Sequence, residues 1–283
     1  MVDSVELPFD DPPPERPVRI GHARIEFRQT KSILTKATGF MADYDYTLNP
    51  YSGCSFGCTY CYAAFFAHDT ELRDTWGSWV QVKENGLAVL RRMRSSLRGK
   101  TIYMSSVTDP YQPIERQTEL VRSLLVELVR HQPRLVVQTR SPLVTRDLDL
   151  FAQFESVRVN MTVTTDSEDV RRAFEPHCST NAKRLDAIAL VQEAGIDCAI
   201  TMTPLLPLED PVAFADRLVA TGVRRFVVQP FHAERGRFVA GTRDQALALV
   251  REMDWTPARY QAAIETLRHR LPTLAEGREG FAP

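Results

Sequence analysis

The sequence predicts an α/β fold built on a parallel sheet. Six short segments dense in Val, Ile, Phe, Tyr or Thr alternate along the chain with longer segments of helical periodicity. This alternation indicates βαβ units, whose right-handed crossovers either curl a parallel sheet into a barrel or wind it doubly. No GxGxxG sequence follows the first predicted strand, which disfavours the dinucleotide-binding form of the doubly wound sheet. The predicted strands cover residues 45–48, 101–105, 134–138, 157–163, 197–202 and 225–229.

Helical patterns lie between and after these strands. Each has apolar residues recurring on one face, or a cap residue followed by Pro at its start. The first 32 residues include a run rich in Pro and acid, so we expect segment 1–32 to be extended or disordered. Residues 232–283 are expected to form a helical C-terminal extension. The predicted helices cover 118–130, 182–194, 243–252 and 257–270, and another begins at Ser141-Pro142.

The composition is that of an ordinary globular protein. The 283 residues are 43% hydrophobic, and the formal net charge of −1 gives no overall field for gripping nucleic acid. No apolar run is long enough to span a bilayer, and the acidic start lacks the basic region of a secretory signal. Five cysteines, three of them clustered, argue against a disulfide framework. We therefore expect a cytoplasmic protein with no membrane partner.

The most informative motif is the C-x3-C-x2-C run formed by Cys54, Cys58 and Cys61. Thiolates are the soft ligands that iron-sulfur clusters take, and a four-iron four-sulfur cluster normally needs four of them. The local run supplies three, which would leave one iron open for a reactive ligand. Gly53 and Gly57 agree with a loop that wraps a cluster closely, because glycine adopts positive φ readily.

Other thiol sites agree less well with the sequence. A zinc site would want a fourth nearby Cys or His, and a thioredoxin-like pair at Cys58 and Cys61 would leave Cys54 unexplained. A two-cluster ferredoxin would need more thiols than this chain has. A protein of another class, a non-catalytic iron-sulfur or zinc module that senses redox state, stays open, and the absence of S-adenosylmethionine (SAM) binding would identify it.

The cysteine spacing resembles that of the radical SAM superfamily. The resemblance implies a partial (β/α)6 TIM-type barrel with the cluster-binding loop after its first strand, here over residues 33–231. It also implies that SAM chelates the open iron and is reductively cleaved to a 5′-deoxyadenosyl radical, which abstracts hydrogen from a substrate. Reduced flavodoxin or a ferredoxin-type protein would supply the electron.

Within the superfamily, the chain is most similar to the spore photoproduct lyase-like group, also called DNA-repair-photolyase-like. Five motifs carry this resemblance, and together they are more specific than the cysteines alone. They begin at Thr47, Thr108, Thr139, Phe174 and Ala194 and read TLNPYSGC, TDPYQPIE, TRSPL, FEP and AG.

Polar residues at the carboxyl ends of the predicted strands are the candidate SAM ligands, because working residues of barrels lie there. Arg140 is expected either to pair with the SAM carboxylate or to form a salt bridge with Asp147 or Glu115. Asn160 and Thr162 are candidates for the ribose. The candidate cofactor-binding residues are Tyr60, Ser105, Ser106, Thr108, Asp109, Arg140, Asn160, Thr162, Arg184 and Met202.

The candidate catalytic residues are Cys178 and Tyr111. In the lyase proper, a cysteine returns a hydrogen atom to the repaired base, and Ser106 occupies that position here. Because a serine O–H bond is too strong for this step, repair would need Cys178, Tyr60 or Tyr111 as a replacement donor. DNA photoproduct repair is therefore an alternative activity, and the substrate is unknown. Repair predicts a continuous basic groove at the barrel mouth, built from Arg140, Arg184, Arg224, Arg235 and Arg237.

Overall fold

The computed structural model describes residues 16–232 and 243–283. Two of the groove candidates, Arg235 and Arg237, lie outside these residues. No helix in the described part of the chain is long and apolar enough to cross a membrane.

The larger sheet of the described chain has eight strands. Its order is β12-β11-β10-β9-β8-β7-β4-β3, and every neighbouring pair is parallel except β3 and β4. It is open between β12 and β3, which makes it a partial barrel of the predicted α/β class. The strands are β1 (Arg19–Ile20), β2 (Ala23–Arg28), β3 (Leu34–Lys36), β4 (Tyr46–Leu48), β5 (Tyr51–Ser52), β6 (Trp79–Lys83), β7 (Thr101–Met104), β8 (Arg134–Thr139), β9 (Val157–Thr162), β10 (Asp197–Met202), β11 (Arg225–Val228) and β12 (Leu274–Glu276).

All six predicted strands are present, within one or two residues of their predicted ends, as β4 and β7–β11. Each is dense in residues that pack well on a pleated surface, and β7 and β10 are almost wholly buried. The sequence analysis did not predict β12, which pairs in parallel with β11. Its residues Leu274–Glu276 are short and only partly buried, so they lack the apolar density by which the other strands were recognised.

The helices cover the outer face of this sheet. The helix predicted at 118–130 begins at Leu120 because Glu119, with φ +44°, separates it from the short helix Glu115–Thr118. Ser141 caps a 3-10 helix, Pro142–Asp147, through a hydrogen bond from Leu143 N. The α-helices are α1 (Thr70–Asp74), α2 (Gly86–Arg91), α3 (Glu115–Thr118), α4 (Leu120–His131), α5 (Leu148–Phe151), α6 (Glu168–Phe174), α7 (Asn181–Glu193), α8 (Pro211–Ala220), α9 (Asp244–Glu252) and α10 (Pro257–Arg270).

A small second sheet has the strand order β1-β2-β6-β5. Strand β5 pairs with β6 and leads directly into the cysteine loop, so the small sheet anchors the start of that loop. Trp76 and Trp79 pack edge to face, with ring centroids 5.7 Å apart. Both are buried.

Candidate functional site

The cysteine loop occupies residues 53–61, after β5, and two glycines determine its path. Gly53 has φ +74° and Gly57 has φ +59°. A Cβ on Gly53 would lie 2.5 Å from the Trp79 ring, and one on Gly57 would lie 3.2 Å from Gly77 Cα. The loop therefore depends on glycine both for its backbone conformation and for its close packing on the small sheet.

Cys54, Cys58 and Cys61 are free thiols that line one cavity of about 910 Å³. The cavity lies at the carboxyl ends of the parallel strands, since its wall includes residues that follow β4, β7, β8, β10 and β11. No three His, Cys, Asp or Glu side chains of residues 16–232 and 243–283 are placed to hold one metal ion. In a cubane cluster each thiolate binds a different iron, so its ligands stand farther apart than those of a single zinc ion.

The three thiols have different surroundings. Arg140 Nη1 donates to Cys58 Sγ at 3.0 Å, and Cys178 Sγ lies 3.8 Å from the same sulfur. The hydrogen bond with Cys178, together with the charge of Arg140, lowers the pKa of Cys58 in spite of its burial. Burial raises the pKa of Cys54 and raises that of Cys61 to about 11. Cys58 is thus the thiol that the protein most favours as a thiolate.

A buried ion-pair network lies behind Cys58. Glu175 Oε1 accepts hydrogen bonds from Arg140 Nη1 at 2.9 Å and from the Tyr60 hydroxyl. Glu175 Oε2 lies 2.6 Å from Arg184 Nη1, a close ion pair without an aligned hydrogen bond. Burial would raise the pKa of Glu175, but Arg184 and Arg140 together lower it to about 2. The carboxylate therefore stays charged and fixes both guanidinium groups.

The loop after β7 positions Arg140 from the other side. Asp109 Oδ2 accepts from Arg140 N at 2.8 Å, and Asp109 Oδ1 accepts from Thr139 Oγ1 at 2.8 Å and from Tyr111 N at 2.9 Å. Burial raises the pKa of Asp109 against these hydrogen bonds. Asp109 is a wall residue of the cavity, and its two carboxylate oxygens join the ends of β7 and β8 there.

Three hydroxyl residues of the same loop also line the cavity. Ser105 has φ +73°, and its buried Oγ has no hydrogen-bond partner in the described structure. Thr108 Oγ1 donates to Gly53 O at 2.8 Å, and Ser106 O accepts from the Tyr62 hydroxyl. An unpartnered buried hydroxyl is costly unless a ligand or water satisfies it, so Ser105 offers a hydrogen-bonding group to a ligand or a water molecule.

Seven of the ten predicted cofactor-binding residues line the cavity, together with the three predicted cluster cysteines. Tyr60, Arg140 and Thr162 are wall residues, whereas Asn160 and Met202 are buried outside the described lining. Thr162 Oγ1 accepts from Gln138 Nε2 at 2.7 Å, so its hydroxyl already has a protein partner.

The two candidate catalytic residues also lie outside the described lining of the cavity. Cys178 contacts the cysteine loop, with its Sγ 3.8 Å from Cys58 Sγ. Tyr111 is 1% exposed, and its hydroxyl donates to Asp147 Oδ2 at 2.9 Å. Neither side chain is thus among the residues that line the cavity.

The expected salt bridge from Arg140 to Asp147 or Glu115 is wrong. Both carboxylates pair with Arg146 instead, at 2.8 and 2.7 Å. Arg146 lies near the end of the 3-10 helix Pro142–Asp147 and reaches Glu115 in α3, whereas Arg140 directly follows β8 and reaches Cys58.

The basic groove predicted for DNA repair is not assembled by the described residues. Arg184 is fully buried against Glu175, and Arg224 precedes β11 at the end of the sheet opposite the cavity. Of the described groove candidates, Arg140 alone lines the cavity.

Several site residues escaped the sequence analysis as functional candidates. Glu175 was noted only as part of the FEP motif, although it holds both arginines. Arg243, at the start of α9, donates to Cys58 O at 3.4 Å, and Lys83 donates to Asn49 O at 2.8 Å beside the cavity. Asn49 in turn accepts from Val107 N at 3.1 Å. The position of Asn49 in the sequence, between β4 and the cysteines, was the signal that could have identified it as a site residue.

The residues present suit a four-iron four-sulfur cluster with one open iron. Three soft thiols share one cavity, and the unpartnered Ser105 hydroxyl lies in the same wall. The cavity also has room beyond the thiols, with polar groups from several strand ends in its wall.

Comparisons with known proteins identify the family and relatives of this chain. A family model described as Radical SAM superfamily matches residues 48–218. The protein MJ0683 of Methanocaldococcus jannaschii is 38% identical over 162 residues, which are 57% of this chain and 61% of that protein. The protein Rv2578c of Mycobacterium tuberculosis is 31% identical over 267 residues, covering 86% of this chain and 78% of that protein. The chain thus spans less than two thirds of the archaeal relative.

Among solved structures, a spore photoproduct lyase complexed with dinucleoside spore photoproduct superposes with a TM-score of 0.58. The match covers 89% of this chain and 81% of the lyase chain, at 14% sequence identity. At this identity the likeness shows a shared fold, the partial barrel described above.

Proposed function

Because the chain belongs to the radical SAM superfamily and is an enzyme of that class, we propose that it cleaves SAM reductively at a four-iron four-sulfur cluster. With the cluster and SAM bound, transfer of one electron to the SAM sulfonium would give methionine and a 5′-deoxyadenosyl radical. This radical would abstract hydrogen from a substrate. The superfamily implies both cofactors, and a reduced flavodoxin or ferredoxin-type protein is the proposed electron donor.

One observation supports this proposal above the others. Cys54, Cys58 and Cys61 all open into the cavity at the carboxyl ends of the parallel strands. The three would hold three irons of a cluster, and the loop after β7 lines the same cavity. Ser105, with its unpartnered Oγ, is the residue of that loop best placed to receive a polar group of SAM.

The protein's own residues have three tasks in this proposal. The cysteine loop holds the cluster, the Asp109 loop joins the neighbouring strand ends, and the Glu175 carboxylate holds the guanidinium of Arg140 beside Cys58. We propose residues 33–231 as the catalytic core and 232–283 as its extension, with β12 adding to the sheet of the core.

The first experiment is anaerobic reconstitution with iron and sulfide, followed by electron paramagnetic resonance (EPR) spectroscopy of the reduced protein with and without SAM. We expect about four irons per chain and a SAM-induced change in the EPR signal. Cys58→Ala should lose the intact cluster. Cys198→Ala is the matched control, because Cys198 is equally buried but points to Gln192 in the helical layer.

Each outcome bears on the class of protein. A stable cluster whose EPR signal does not change when SAM is added would indicate a redox sensor. A single bound zinc ion in place of iron would indicate a binding module. Equal loss of iron in Cys58→Ala and Cys198→Ala would contradict the assignment of the cysteine loop.

A further inference from the structure

The sulfur of Cys58 differs from the other two cysteine sulfurs in its hydrogen-bond donors. Cys58 alone among the three receives a charged side chain within the described residues, since Arg140 Nη1 lies 3.0 Å from its Sγ. A hydrogen bond from a charged donor is about twice as strong as one between neutral groups.

The position of Arg140 is fixed before any cofactor binds. Its backbone N–H is held by Asp109, and its Nη1 also contacts Glu175 Oε1 at 2.9 Å and Tyr60 Oη at 2.7 Å. Its side chain is only 17% exposed. The guanidinium therefore gains little freedom to leave Cys58 when the cavity fills.

Arg140 places a positive charge directly beside Cys58. Its Nη1 lies 3.0 Å from the sulfur, whereas the acids that contact Arg140 are Glu175, which it shares with Arg184, and Asp109, which accepts from its backbone N–H. Thiolate ligands bring negative charge to a cluster, and reduction adds more. A positive charge and a hydrogen bond at a ligand sulfur both favour the reduced state of a cluster, because second-shell groups tune iron-sulfur potentials.

We propose that Arg140 is a positioning residue that raises the reduction potential of the cluster through Cys58, with Glu175 holding its guanidinium in place. The inference rests on the proposed function. It differs from the expectation that Arg140 pairs with the SAM carboxylate, because its effect must be present before SAM is added.

The test is a redox titration of the reconstituted cluster without SAM, followed by EPR, in wild type, Arg140→Gln and Arg140→Lys. We expect Arg140→Gln to lower the reduced-to-oxidised ratio at a fixed solution potential by about tenfold, or about 59 mV for a one-electron couple. Arg140→Lys keeps the charge and should recover much of the difference. Thermal unfolding of each protein, measured in parallel, checks that the fold is retained.

Arg146→Gln is the matched control. Its side chain is 20% exposed, a fraction similar to the 17% of Arg140. It also belongs to a buried ion-pair network, with Glu115 and Asp147. It makes no contact with a cluster cysteine within the described residues, so its loss should leave the potential unchanged. A structural disturbance common to buried arginines would shift both variants equally.

The outcomes separate the inference from the proposed function. An unchanged potential in Arg140→Gln, with the cluster intact, overturns the inference and leaves the proposed function standing. If Arg140→Gln changes only SAM affinity, Arg140 binds the SAM carboxylate and the inference is wrong. A wild-type protein that assembles no four-iron cluster overturns both.

Discussion

Glu175 and Arg184 meet 2.6 Å apart at a point where neither side chain is exposed to solvent. The two residues lie on either side of the loop that leads from α6 into α7, so their contact closes this loop against the strand ends. Arg140 reaches the same carboxylate from β8. One buried acid thus links three parts of the barrel to the cysteine loop.

Replacing Glu175 with Gln should destabilise the metal-free protein by about 3–5 kcal/mol, because two buried guanidiniums lose their counter-charge. Urea denaturation at pH 7 measures this loss. The Lys100–Asp45 pair is partly exposed, at 45% and 35% of its side chains, so Asp45→Asn is a useful contrast and should cost less. Equal losses in the free energy of unfolding would show that the buried ion pair stabilises the fold no more than the partly exposed one.

The stabilising effect of Glu175 should depend on pH in a defined direction. Its pKa is lowered in the folded state to about 2, so its contribution is complete above its ordinary value of 4.5 and is lost as pH falls toward 2. The shift corresponds to roughly 3 kcal/mol. The difference in free energy of unfolding between wild type and Glu175→Gln should shrink from pH 6 to pH 3. A constant difference would contradict the assigned ion pair.

Gly53→Ala should be much more harmful than Gly99→Ala. The two glycines have nearly the same φ, +74° and +72°, but a Cβ at Gly99 meets nothing within 4 Å, whereas one at Gly53 overlaps Trp79. Both variants pay about 1–2 kcal/mol for the left-handed backbone. Gly53→Ala should cost about 1–3 kcal/mol more from overpacking, and should also bind less iron. Equal urea midpoints would show that the loop relaxes around the added methyl group.

Tyr111→Phe should weaken the fold without affecting SAM cleavage. The change removes the hydroxyl that donates to Asp147, which keeps its ion pairs with Arg122 and Arg146. The expected cost is about 1 kcal/mol. If Tyr111→Phe forms much less deoxyadenosine than wild type while its cluster is intact, that result would instead support the catalytic role expected from the sequence.

The barrel strands were predictable because each is a short, dense apolar run between helices. Strand β10, residues Asp197–Met202, was placed without error. The small sheet and β12 were missed because their pairing is determined by tertiary contacts and not by local pattern. Trp79 illustrates this, because its sequence neighbours do not indicate that its ring packs against Gly53.

The site was predictable where a motif carries its own chemistry. The cysteine spacing led to the three cavity thiols, and the polar loop after β7 led to Ser105 and Asp109. The partners of charged residues were not predictable: one of the two expectations for Arg140 was a salt bridge with Asp147 or Glu115, but Arg140 pairs with Glu175, 35 residues away in sequence. Such pairings depend on which strand ends become neighbours in the barrel, and spacing alone does not encode that.

The most direct test of the central claim is the formation of 5′-deoxyadenosine from SAM by the reconstituted, reduced protein. We predict that wild type and Cys198→Ala form it under anaerobic conditions with a strong reductant, and that Cys58→Ala does not. A wild-type protein with a full, reduced cluster that shows neither deoxyadenosine nor a SAM-dependent EPR signal would contradict the account.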